Sequence, residues 1–204
     1  MEAAWATSIY SLTGKGLRIV RDDKPGYFTD AVIRNQYKNR SASLQLVDHS
    51  LDVAKLCLQL HEQYDTYDIF SKSEMDQFEE FMRPLPDLYI RANRADEDGN
   101  SIHFQLEMIE AGTFTWMIRK RINAHQEWFD DNNDDEWDFE DNYPTLLLVC
   151  DNKSTEKRIH RLTDDASMDF ETWTVTRERL AAGKKKVWVR YWDEFEDDGV
   201  MVGL

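Results

Sequence analysis

Asp87 and Glu107 are the residues whose types and spacing most directly suggest chemistry. They lie in a segment reading PDLYIRAN, then ADEDGNS, then IHFQLEMI, from Pro86 to Ile109. In the first arm Leu88, Ile90 and Ala92 are apolar, and in the second Ile102, Phe104, Leu106 and Met108 are. Strict alternation on both sides of an Asp-Gly-Asn turn predicts a β-hairpin. Both apolar sets fall on even numbers, so pairing them gathers the odd-numbered residues on the other face. Asp87 and Glu107 then face each other with Cβ atoms about 4.5–5.5 Å apart. Two carboxylates at that separation can hold a divalent cation, which binds through oxygen. Tyr89, His103 and Gln105 share their face.

The elements that must position this pair are legible in outline. Leu44–Tyr67 (LQLVDHSLDVAKLCLQLHEQYDTY) carries Leu51, Val53, Ala54, Leu56, Cys57, Leu58 and Leu60 at helical spacing, with Asp48 or Ser50 as N-cap. His49 stands at its start, where a capping or packing role outweighs a functional one. Ser71–Met82 reads as a polar linker helix or loop, and Pro84 and Pro86 set an extended entry to the hairpin. After it, Glu110-Ala111-Gly112-Thr113 turns into a helix over 114–129 with Phe114, Met117, Ile118, Ile122, His125 and Trp128 on its apolar face. Thr145–Cys150 is a continuous apolar run, expected to be a central strand covered on both sides. Ser154–Leu162 reads as a helix capped by Asn152 or Ser154, Phe170–Thr176 as a strand, Arg177–Ala182 as a short helix, and Lys184–Trp192 as a strand. The order β-β-α-β-α-β predicts an α/β fold with a mixed sheet.

Length and composition fit one moderate domain with a small appendage: 204 residues, 41% hydrophobic, seven tryptophans. The longest apolar run, TLLLVC, is far too short for a membrane span. MEAAWATSIYS lacks the basic start and apolar stretch of a signal peptide, so a cytoplasmic location is expected. Cys57 and Cys150 sit in apolar contexts as unpaired thiols, and no Cys/His spacing suggests zinc. A net charge of −15 argues against coating DNA with the whole surface. The acids concentrate, however, in DDNNDDEWDFED (130–141) and DEFEDDG (from Asp193), and 130–141 reads as a solvated loop. Bases cluster at Arg119–Arg121, Lys153–Arg161 and Lys184–Lys186, which leaves room for a local basic groove.

A Pro-Asp at the start of one strand, a Glu on the next, then a helix and a buried strand resembles the core of PD-(D/E)XK nucleases. YSLTGKG looks like the close of a winged helix, and VDHSLDVAKLCLQL like the His-led helix that follows it in the replication-relaxation family of plasmid and mobile-element proteins. LPDLYIRAN, FQLEMIEAGT, IRKRINAHQEW, YPTLLLVCDN and FETWTVTRERL are similar to that family's nuclease-like half, in the same order, over roughly residues 8–20 and 45–180. The resemblance implies a restriction-endonuclease-like mixed sheet flanked by helices over 41–204, with a winged-helix remnant over 1–40. It also implies Mg²⁺ bound by Asp87 and Glu107, where the metal would activate a water. Ile109 stands where a Glu-X-Lys motif carries its lysine, so a migrated base is expected, Lys120 or Arg119 of the following helix.

These features imply a DNA-processing or replication-associated protein of a mobile element, catalytically degenerate at the Ile109 position. Arg119, Arg121 and Lys157 are then the phosphate contacts. One alternative is an active Mg²⁺-dependent endonuclease or nicking factor using Asp87, Glu107 and Lys120. Another is an acidic module whose 130–141 loop engages a basic protein partner.

Overall fold

In Thr145–Cys150 (β4) alternate side chains enter different cores: Leu147 and Val149 one, Leu146, Leu148 and Cys150 the other. All five are buried. A strand buried on both sides needs a layer of helices on each, and the rest of the chain supplies them. The computed structural model describes residues 12–23, 30, 33–34, 43–63, 67–95, 101–132, 143–166, 168–182, 188–191 and 200–202.

Among these residues the order after the N-terminal helix α1 (Gly14–Asp23) is α2 (Leu44–Gln63), β1 (Tyr67–Ser71), α3 (Lys72–Met75), β2 (Leu88–Ala95) and β3 (Ser101–Ile109). Then come α4 (Thr115–Asn132), β4, α5 (Lys153–Ala166), β5 (Thr172–Thr176), α6 (Arg177–Ala181), β6 (Trp188–Tyr191) and β7 (Val200–Val202). The strands lie side by side in chain order. β1, β2 and β3 are antiparallel, β3, β4 and β5 parallel, and β6 and β7 antiparallel again. The fold is therefore α/β with a mixed sheet flanked by helices. No described helix is long and apolar enough to cross a membrane.

The hairpin has the predicted register: Leu88 pairs with Leu106, Tyr89 with Gln105, Ile90 with Phe104 and Arg91 with His103. One step outward this register sets Asp87 opposite Glu107. The turn, 96–100, lies outside the described residues. The even-numbered side chains form one core with Leu56 and Leu60 of α2 and Leu180 of α6. Ile118 and Ile122 of α4 and Ile159 and Leu162 of α5 pack on the opposite side. The odd-numbered face is buried as well: Gln105 is 1% exposed and Glu107 5%.

Several elements differ from expectation. Ser71–Met82 is no polar linker: it holds the end of β1 and all of α3, and Met75, Phe81 and Met82 are buried. Glu74 accepts from the Ser71 backbone N–H at 2.7 Å, closing a capping box that starts α3. In α2 the buried stripe narrows to Leu56 and Leu60 with Val53 and Cys57 beside them, and Leu58 is 66% exposed. Phe114 and Met117 are exposed rather than core. At the N-terminus the residues read as the close of a winged helix begin a helix, α1, where the Gly16 N–H donates to Thr13 Oγ1 at 3.2 Å. A side-chain cap at Thr13 satisfies a first-turn donor and offsets part of the helix-breaking tendency of Gly14 and Gly16. The chain divides into two units, Met1–Val47 and Asp48–Leu204. Lys184–Lys186 and 133–142 of the acidic segment lie outside the described residues.

Candidate functional site

Asp87 enters β2 held on every side. Its backbone N–H donates to Leu106 O at 2.9 Å, and its Oδ2 accepts from the Met108 N–H at 2.8 Å, which locks it to β3. Its Oδ1 accepts from Lys72 Nζ at 2.6 Å and faces His49 Nε2 at 3.0 Å. The other ring nitrogen, His49 Nδ1, faces Glu110 Oε1 at 3.2 Å. Both ring nitrogens donate only in the protonated ring. The Asp87 hydrogen bond accordingly raises the His49 pKa despite burial. Burial alone pushes the Asp87 carboxyl up, but His49 and Lys72 together overcome it and hold it down at about 2. At neutral pH Asp87 is an ionised carboxylate, 3% exposed, balanced by protein cations.

Glu107 has its own set of partners, all from α4. Arg121 Nε donates to Glu107 Oε1 at 2.6 Å, and His125 Nε2 faces the same oxygen at 3.1 Å. The Arg121 guanidinium also donates to Pro84 O at 2.8 Å and to Leu85 O, so one side chain ties α4, β3 and the loop before β2 together. Residues 121 and 125 are one helical turn apart, which aims both at Glu107. Nearby, Tyr89 Oη and His103 Nδ1 meet at 2.8 Å. Gln105 is buried with neither amide atom partnered among the described residues.

The two acids are thus brought opposite each other, as the alternation requires, but each is engaged by different cations. Among the described residues no group of three or more His, Cys, Asp or Glu side chains is arranged to hold a metal ion. A resident Mg²⁺ needs near-octahedral oxygen ligands. Here an ammonium and an imidazole engage Asp87 Oδ1, a guanidinium and an imidazole engage Glu107 Oε1, and the Met108 N–H takes Asp87 Oδ2. The residues as arranged do not fit that ion.

The basic residues singled out in the sequence separate. Arg121 turns inward to Glu107. Arg119 and Lys120 are exposed on the outer side of α4, lining a groove of about 880 Å³ with Arg83, Phe114 and Trp116. Lys157 lies elsewhere, with Lys153, Arg158 and Arg161 around a smaller depression of about 680 Å³ at the start of α5. Sequence reasoning missed Lys72 altogether and read His49 and His125 as packing residues. A signal for both histidines existed. His49 falls on the stripe of Val53, Leu56 and Leu60, and His125 on that of Ile118, Ile122 and Phe129, so each was bound to face the sheet.

No family model, curated protein or solved structure matches the chain.

Proposed function

We propose that this chain is a DNA-binding protein built on a PD-(D/E)XK nuclease-like scaffold, in which protein cations stand where a catalytic metal would. Its role is DNA processing or replication on a mobile element, as the sequence resemblance implies. The element order α2-β1-α3-β2-β3-α4-β4 supports the scaffold, with Pro86-Asp87 entering β2 and Glu107 opposite on β3. The observation that carries the loss of catalysis is the Arg121 guanidinium on Glu107, beside His125. Buried polar residues cost stability unless paired, and Gln105, unpartnered, is costlier than an apolar residue there. A face kept polar at that cost fits a site inherited from a metal-binding ancestor.

The test is supercoiled plasmid with Mg²⁺ or Mn²⁺, beside duplex binding followed across salt. The expected result is salt-sensitive binding without nicking, unchanged in Asp87→Ala. No DNA binding of any kind would sink the proposal.

A second reading, the Mg²⁺-dependent nicking enzyme, is favoured by one contact, Lys72 Nζ at 2.6 Å from Asp87. Lys72 is half exposed and has the reach and charge first assigned to Lys120. Nicking by the wild type that Asp87→Ala and Lys72→Ala both abolish would establish this reading in place of the first.

A further inference from the structure

The outer face of α4 is built unlike the rest of the surface. Trp116 is 65% exposed and Phe114, just before the helix, 66%. Trp116, Arg119, Lys120 and Asn123 follow at helical spacing (i, i+3, i+4, i+7), so they form one stripe opposite the buried Ile118–Ile122–His125 stripe. Pro84 and Arg83 form part of the groove's lining. Neither Arg119 nor Lys120 has an ion-pair partner among the described residues, in a chain of net charge −15. An indole and a phenyl ring left in water beside two unpaired cations have the composition of a surface that stacks bases and tracks phosphates.

We infer that this groove binds an unpaired stretch of single-stranded DNA. Trp116 stacks on a base, Arg119 and Lys120 hold the flanking phosphates, and Asn123 offers its amide to a base edge. The inference rests on the DNA-binding reading and narrows it. Bases inside a duplex are stacked on each other and present no free face to Trp116, whereas a single strand does. Charge complementarity decides against a basic protein segment as occupant. Glu127, at the other end of the groove, places the phosphates on the Arg119–Lys120 side. Pro84 couples this groove to the acid pair, since it lines the groove while its carbonyl accepts from Arg121.

The test is fluorescence anisotropy of the full chain with a short labelled oligothymidylate and with a duplex of equal length, both in EDTA. Trp116→Ala is expected to weaken oligothymidylate binding roughly tenfold. It should leave duplex binding unchanged. Intrinsic tryptophan fluorescence should be quenched by the oligonucleotide in the wild type and much less so in Trp116→Phe, which keeps a ring and most of the affinity. Arg119→Ala with Lys120→Ala should lower the salt dependence of oligothymidylate binding. If Trp116→Ala binds the single strand like the wild type, or loses both DNAs alike, the inference is overturned while the DNA-binding reading stands. If the wild type binds neither DNA, both fall. Sedimentation of wild type and Trp116→Ala covers the remaining occupant: a self-association that the substitution abolishes, with DNA binding unchanged, overturns the inference in favour of a second copy.

Discussion

Arg121 is the residue on which the described site most depends, because it balances a carboxylate with almost no access to water. Glu107 has 6% of its side chain exposed and Arg121 19%. Removing one partner of such a pair leaves a buried charge uncompensated, at about 3–5 kcal/mol. Arg121→Met is therefore expected to lower the unfolding free energy in urea by about 3 kcal/mol or more. Adding Glu107→Gln should recover much of the loss, and full additivity of the two changes would refute the pairing. Two histidines set opposite limbs of the stability–pH curve. His160 is held down at about 4 by burial, with Arg179 beside it, and faces Thr174 Oγ1 at 2.7 Å. Below about pH 6.5 the unfolded chain takes up a proton that the folded chain refuses. Stability therefore falls between about pH 6.5 and pH 4, by roughly 3 kcal/mol over the interval, and His160→Gln should flatten that fall. His49 is shifted upward, so its contribution is full below about 6.5 and is lost as pH rises through its folded value. His49→Gln should flatten the alkaline decline and leave the acid one. Asp87, at about 2, gives up its share only in stronger acid, as pH falls below its unfolded value toward 2. Parity alone revealed the Asp87–Glu107 juxtaposition. Among their partners Lys72 and Arg121 were not legible, because they reach the acids from elements whose packing no local pattern specifies, whereas the helical stripe of His49 pointed it at the sheet.

At the scale of elements, α4 separates what periodicity can tell from what it cannot. Its spacing correctly groups Ile118, Ile122 and His125, and equally admits Phe114 and Met117. The period says which residues share a stripe, but not how far along the helix the sheet extends beneath it. The first turn of α4 lies beyond that cover, so Phe114, Trp116 and Met117 face solvent. The two faces should respond differently to truncation. Ile122→Ala is expected to cost about 2–5 kcal/mol in urea denaturation, as a large-to-small change in a closed core. Trp116→Ala should stay within about 0.5 kcal/mol of the wild type. A large loss at Trp116 would show that the aromatic rim is structural. The hairpin and β4 were readable because strict alternation and an unbroken apolar run each have one simple structural solution. β1 was not: Tyr67 and Ile69 alternate with Asp68 over five residues, too short a stretch to stand out without its partner. Its place follows from the register, with Tyr67 against Ala92 and Ile69 against Ile90. α3 could be read only as a polar linker helix or loop, because its single turn depends on a capping box and on Met75 finding a buried site.

For the whole molecule the governing tension is between a net charge of −15 and the few cations of the face proposed to bind DNA. The local groove decides the bound state, since phosphates within hydrogen-bonding reach of Arg119 and Lys120 interact over short, poorly screened distances. The approach is decided by the summed field, which reaches about a Debye length and repels a polyanion. A protein so composed should associate slowly with DNA at low salt, and binding should be confined to strands that dock in the right orientation. The run DDNNDDEWDFED begins in the last turn of α4 and continues beyond it, so it is the largest source of that repulsion continuous with the groove's own helix. Neutralising Asp134, Asp135, Asp138 and Asp141 as asparagines removes four negative charges, taking −15 to −11. The expected outcome is a rise of roughly tenfold in the association rate with oligothymidylate at low ionic strength, with dissociation little changed. The advantage should shrink as salt is raised, because the substituted residues act at a distance and not by contact. Stopped-flow anisotropy across a salt series measures both constants. An association rate unaffected at low salt would mean that the acidic run does not shape the approach of DNA. An altered dissociation rate would mean that the run touches the bound strand.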